Sequence, residues 1–135
     1  MEGSAIKLVH AVYAAWNREE FPGPDDLLHP EIEYVNPPDA VEPGTRRGLE
    51  AFAQALAKTL EGWEVWRMEP EEMTEQGDDV AVAVRYRARG RGSGLEIEGR
   101  ESALWTVRDG RVVRYAWFHG EEDAFDAMRE RAGSG

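Results

Sequence analysis

The chain predicts an α+β fold, with helices packed on one face of a curved antiparallel sheet. Three observations predict it. Apolar residues recur at three- and four-residue steps from Ile6 to Trp16 and again from Leu49 to Leu60, the spacing of one helical face. From Trp63 to His119 the pattern becomes strand-like, punctuated by glycine-rich and Asp-Gly connections. Helices followed by a run of antiparallel strands give an architecture in which the helices cover one face of a sheet.

A chain of 135 residues makes one domain, expected over 1–132 with Gly133-Ser134-Gly135 as a tail. That length buries roughly two-thirds of the unfolded surface, enough for a core without staples. With no cysteine, disulfide scaffolds, thiolate metal sites and cysteine nucleophiles are excluded, and a reducing compartment is permitted. A net charge of −11 argues against a nucleic-acid partner, because a phosphate-backbone binder needs a positive footprint. No apolar run approaches the ~20 residues of a membrane span, and no signal-peptide core opens the chain. The expectation is a soluble, cytoplasmic domain with no membrane partner.

Each element follows from local pattern. Ile6, Val9, Tyr13 and Trp16 define the first helix, which Phe21-Pro22-Gly23-Pro24 stops. Asp25 to Leu28 allows one short helical turn ended by His29-Pro30. Glu31 to Asn36 is a strand with Ile32, Tyr34 and Asn36 on one face, closed by Pro37-Pro38 and followed by a loop up to Gly48. Leu49 to Leu60 is the second helix, with Gly62 at the position a C′ glycine takes. Trp63 to Met68 starts the strands, and Pro70 implies an edge position or a bulge. Val80–Arg89, Leu95–Arg108 and Val112–His119 follow as strands. Glu121 to Arg131 closes the chain as a helix, acidic in its first turn and basic in its last.

The register of the two long strands can be read from charge. If Gly90 pairs with Leu95, Arg89 faces Glu96, Arg87 faces Glu98 and Val82 faces Ala103. Opposite charges then meet on one face and apolar residues on the other. Glu101 falls on the apolar face, opposite Val84 and diagonal to Val82 and Tyr86. A carboxyl walled in this way loses hydration, and its pKa rises toward the range useful for proton transfer at neutral pH. The turn at Arg108-Asp109-Gly110 leaves two alternatives. A two-residue loop places Ala116 and Phe118 on Glu101's face, whereas a three-residue loop places Tyr115, Trp117 and His119 there.

Taken together, Ala11-Val12-Tyr13-Ala14-Ala15-Trp16, His29-Pro30-Glu31-Ile32-Glu33-Tyr34-Val35-Asn36-Pro37-Pro38, Gly48, and Leu104-Trp105-Thr106-Val107-Arg108-Asp109-Gly110-Arg111-Val112 resemble a SnoaL-like member of the nuclear transport factor 2-like superfamily. The resemblance spans nearly the whole chain, and it favours the three-residue loop, with Trp117 opposite Glu101 and His119 diagonal. It also implies a cone-shaped α+β fold, helices closing over a strongly curved antiparallel or mixed sheet that encloses a deep pocket, and, in many relatives, a homodimer through the outer face of the sheet. Tyr13 resembles the first-helix oxyanion donor of ketosteroid isomerases, but Asn36 stands where their catalytic aspartate would be and Ala103 where their second acid would be. Tyr34-Val35-Asn36 resembles the water-holding Tyr-x-Asn of limonene-epoxide-hydrolase-like relatives, whose aspartates would fall near Tyr86 and Trp117. Glu101 is the carboxylate available to act as the base of SnoaL-type cyclases, from a position other than the usual one.

The expected chemistry is therefore proton transfer, of isomerase, cyclase or hydratase type, on a small hydrophobic cyclic substrate. Glu101 is the candidate acid–base, His119 its tuning partner, and Tyr34 and Asn36 the polar groups that orient substrate or stabilise an enolate. Tyr13, Trp16, Val84, Tyr86, Ala103, Trp105, Tyr115 and Trp117 are the candidate substrate-binding wall. The alternative is a non-catalytic hydrophobic-ligand-binding or dimerisation domain of the same fold, with the aromatics filling the cone. His10, His29 and His119 lack metal-ligand spacing, so no metal and no cofactor is expected. A homodimer is expected through the outer face of the long strands, around Arg100, Ser102, Leu104 and Thr106.

Overall fold

The computed structural model describes residues 4–134, and Gly135 of the expected tail lies outside them. Three helices pack on a six-stranded mixed sheet that does not close. The helices are α1 (Ser4–Asn17), α2 (Leu49–Leu60) and α3 (Asp123–Ser134). The strands are β1 (Leu28–Asn36), β2 (Gly44–Arg47), β3 (Trp63–Gln76), β4 (Asp79–Gly90), β5 (Glu96–Arg108) and β6 (Arg111–Phe118), in the order β2-β1-β6-β5-β4-β3. A single 3-10 turn occupies Asp25–Leu27.

The β4–β5 ladder has the register that charge implies: Arg89 pairs with Glu96, Arg87 with Glu98, Val84 with Glu101 and Val82 with Ala103. The charged face is laced by Arg85–Glu98 at 2.8 Å, Arg89–Glu96 at 3.0 Å and Arg100–Glu71 at 3.2 Å. β3 is an edge strand with a register shift between Pro70 and Glu72, so Pro70 sits at an edge and beside a bulge. β3 continues past that bulge to Gln76.

Four expectations are corrected. The loop before Gly48 contains β2, antiparallel to β1 and tied to it by Arg47 on Glu33 at 2.6 Å. β1 begins at Leu28 and runs through His29-Pro30, because the missing proline N–H falls in the irregular stretch between its pairings with β6 at Leu28 and Glu33. Gly62 follows the α2 C-cap but does not adopt positive φ. At the last hairpin the loop is the two-residue one, with Asp109 (φ 52) and Gly110 (φ 77) between Arg108 and Arg111. A register shift between Thr106 and Val107 then skips Val113, so Trp105 pairs with Tyr115 and Ala103 with Trp117. Tyr115 and Trp117 therefore do share Glu101's face, but Trp117 stands opposite Ala103 and not opposite Glu101.

The two faces of the sheet carry separate cores. On one, α1 and α2 cover Ile32, Val82, Val84 and Trp105, with Val9, Val12, Tyr13, Trp16 and Phe52 packed down from the helices. On the other, α3 lays Ala124, Phe125 and Met128 on Ala81 and Leu104. Ser102 anchors the start of α3: its Oγ donates to Gly120 O at 2.6 Å and accepts the Ala124 N–H at 3.0 Å. Asp79 anchors the far end, accepting from Thr106 Oγ1 at 2.7 Å and Arg131 Nε at 2.9 Å. Ser102, Leu104 and Thr106 are thus buried by the chain's own helix. The outer face left open is the one bearing the Arg–Glu lattice.

Candidate functional site

β5 delivers Glu101 to the face covered by α1 and α2, where a cavity of about 110 Å³ opens beside it. Its wall includes Trp16, Tyr34, Tyr115 and Trp117. Among the described residues no hydrogen bond or ion pair reaches the Glu101 carboxyl. Burial alone pushes it from the usual 4.5 up to about 7. Its charge acts on Tyr34 and Tyr115, both of whose phenols are raised chiefly by their own burial, with Arg46 opposing the rise at Tyr34. Among the described residues, a carboxyl so placed has no counter-ion to favour its charged form.

The floor is a filled aromatic cluster. Trp105 and Tyr13 are fully buried, the Trp105 indole donating to the Tyr13 hydroxyl at 3.1 Å. Trp105 and Tyr115 lie with ring centroids 4.4 Å apart, and Trp16 ties its indole to Pro22 O at 2.7 Å. Tyr13, Val84, Ala103 and Trp105 stand behind the cavity as packing, with Val84 and Ala103 fully buried, whereas Trp16, Tyr115 and Trp117 line it. Tyr86 fills the notch over Gly99, where an added Cβ would meet its hydroxyl at 2.5 Å.

Asn36 and His119 are brought to a different place, an open outer cleft of about 620 Å³ that shares Tyr34, Thr59 and Trp117 with the inner cavity. Asn36 accepts from the Trp117 indole at 2.6 Å and donates to Glu42 O at 2.7 Å, so it clamps the wall between the two spaces. His119 is exposed, faces Asp39 at 3.6 Å and stacks edge-on against Trp117; no hydrogen bond or ion pair joins it to Glu101. Glu42 in the same cleft bridges Arg46 at 2.9 Å and Lys58 at 2.6 Å.

Phe21, Leu56, Leu60, Trp66 and Met68 complete the inner wall and were not foreseen as site residues. The two-residue Gly77-Asp78 turn, joining Gln76 to Asp79, was a usable signal for the β3–β4 register. The bulge after Pro70 hides its consequence, since Trp66 and Met68 reach the inner face only because the register slips by one there.

Three solved structures share this architecture. TerC, co-crystallised with polyporic acid, is 26% identical, with a TM-score of 0.76 over 95% of this chain and 99% of its own. A nuclear transport factor 2-like protein from Burkholderia pseudomallei is 19% identical, with a TM-score of 0.75 over 93% of this chain and 97% of its own. IdmH, a candidate polyketide cyclase from Streptomyces antibioticus, is 19% identical, with a TM-score of 0.74 over 93% and 99%. No curated protein matches the sequence. The profile of the SnoaL-like domain matches residues 9–115, and the chain belongs to the SnoaL-like family within the nuclear transport factor 2-like fold.

Proposed function

We propose that this domain catalyses proton transfer at carbon, of the isomerase or cyclase kind, on a small hydrophobic ring-containing substrate held against Glu101. The observation that carries the reading is the Glu101 carboxyl itself: partly buried, unpaired among the described residues, pushed up to about 7, and bordering an aromatic cavity. As carboxylate it takes a proton from the carbon next to a substrate carbonyl, leaving an enolate; returning the proton to a different carbon completes an isomerisation. The Tyr34 hydroxyl is the donor for the enolate oxygen, since it borders the same cavity. Asn36 and His119 meet the part of the substrate that extends into the outer cleft. The co-crystal of TerC with polyporic acid supports a small organic ligand in this fold.

Exchange of the α-protons of 2-tetralone in D₂O, followed by NMR, tests the reading. Exchange catalysed by the wild type and lost in Glu101→Gln is expected. Equal exchange in both proteins removes Glu101 from the mechanism. A non-catalytic binding domain is the second reading, favoured by the aromatic floor that fills much of the cone; it predicts ligand binding with no exchange.

The assembly proposed is a cytoplasmic homodimer through the outer face left open by α3, where the paired Arg85, Arg89, Glu96 and Glu98 avoid the cost of bare buried charge. Light scattering at micromolar concentration is expected to report a dimer; a monomer refutes it.

A further inference from the structure

The inner cavity, at about 110 Å³, encloses no more than about one ring, so even a bicyclic ketone extends beyond it: a dry cavity of about 150 Å³ holds one benzene. Sites for drug-sized ligands run to roughly 300–1,000 Å³. A larger ligand must project from the cavity, and the structure offers a second direction besides the outer cleft. On the far side lies a cleft of about 220 Å³ whose apolar wall is Trp63, Val65 and Trp66, with Asn17, Glu19, Glu64, Arg67 and Arg91 completing its lining. Phe21, Leu60 and Trp66 border both this cleft and the inner cavity, so those three side chains stand between them.

The frame around the partition is tied down while the partition is not. Asn17 exchanges hydrogen bonds with the backbone of Met68 at 2.8 and 2.9 Å, Arg67 donates to Asn17 O at 2.7 Å, and Arg91 donates to Trp63 O at 3.1 Å. Phe21, Leu60 and Trp66 are each only partly buried, and Phe21 and Trp66 pack on the core through apolar contact. Above them α2 fully buries Phe52, while Leu56 and Leu60 are half-buried and border the cavity. An apolar group that covers these half-buried side chains removes their remaining surface from water, which is favourable.

We propose that the Glu101 cavity is the middle of a passage beneath α2, with a second mouth at Phe21, Leu60 and Trp66, and that its ligand is an elongated ring-plus-chain molecule whose apolar end lies against Trp63 and Trp66. The oxygenated end faces Tyr34 and the polar outer cleft. The proposal rests on the reading that the Glu101 cavity is a ligand site, and it adds the shape and polarity of the ligand.

A series of 4-alkylphenols, from 4-ethylphenol to 4-heptylphenol, tests it by isothermal titration calorimetry. Affinity is expected to rise about fourfold for each methylene that leaves water. In Trp63→Gln, a residue that lines the second cleft and not the inner cavity, 4-ethylphenol is expected to bind as in the wild type while the gain with chain length is lost. Gln54→Trp, which narrows the outer cleft, is expected to keep that gain. Leu60→Trp, which plugs the partition, is a second arm read only on the ratio of heptyl to ethyl affinity, expected to fall toward one. Affinity independent of chain length, or a gain lost in Gln54→Trp and kept in Trp63→Gln, overturns the passage and leaves the cavity reading standing. Failure of every phenol to bind the wild type overturns the cavity reading and the passage with it.

Discussion

Val84 pairs with Glu101 across β4 and β5, so the carboxyl leaves the sheet on the same face as a fully buried valine. Water is excluded on the side of the β4 wall, and among the described residues no cation pairs with the carboxyl. The raised carboxyl follows from that placement, and the stability of the protein inherits a pH dependence from it.

The first consequence is for stability. A carboxyl at about 7 when folded and 4.5 when unfolded binds more protons in the folded state between those values, so it lowers stability as pH rises through that window. Glu101→Gln is therefore expected to stabilise the protein above pH 7, by up to roughly 3 kcal/mol, and to change little below about pH 4.5. Urea unfolding of both proteins at pH 4.5 and 8.5 checks this; an equal difference at the two values would sink it.

Activity should run the opposite way. If Glu101 is the base, its charged form does the work, and exchange of 2-tetralone protons should climb with pH to a plateau above about 7. Glu101→Gln should lower the rate by about 10²–10⁴ while keeping ligand affinity within roughly tenfold. A flat pH profile from 5 to 9 contradicts the assignment.

Asn36 carries a separate expectation, because it clamps Trp117 to the Glu42 carbonyl. Asn36→Ala removes both hydrogen bonds at the partly exposed wall, costing about 1–2 kcal/mol. It should also release the Trp117 indole, seen as increased acrylamide quenching of tryptophan fluorescence. Asn36→Asp keeps the acceptor for the indole and should restore most of the protection.

Ser102 is the corresponding point on the other face. Ser102→Ala leaves the Gly120 carbonyl and the Ala124 N–H without their side-chain partner under α3, an expected loss of about 1–3 kcal/mol. Hydrogen exchange should show that loss first in the α3 amides. Uniform protection in α3 would mean that Phe125 and Met128, and not the anchor, hold the helix.

What the sequence determined by itself is local. Helical spacing placed α1 and α2, and the charges of Arg87, Arg89, Glu96 and Glu98 set one hairpin register, because strands joined by a short turn pair with near neighbours in the chain. That register alone put Glu101 inside. The tertiary structure decided what depends on distant pairing or on a single skipped residue. β1 joins β6 in parallel, stacking Tyr34 on Tyr115 with centroids 5.8 Å apart, a contact between segments about eighty residues apart that no local pattern announces. The skipped Val113 gave Trp117 to Ala103 and left His119 to Asp39, and the bulge after Pro70 turned Trp66 and Met68 inward. A bulge changes which face every later residue occupies while leaving the alternation of the strand intact, so its cause lies in how the whole sheet buries its side chains. The seating of α3 on the outer face was decided the same way, since Ser102 and Asp79 became its anchors only when the sheet brought them under the helix.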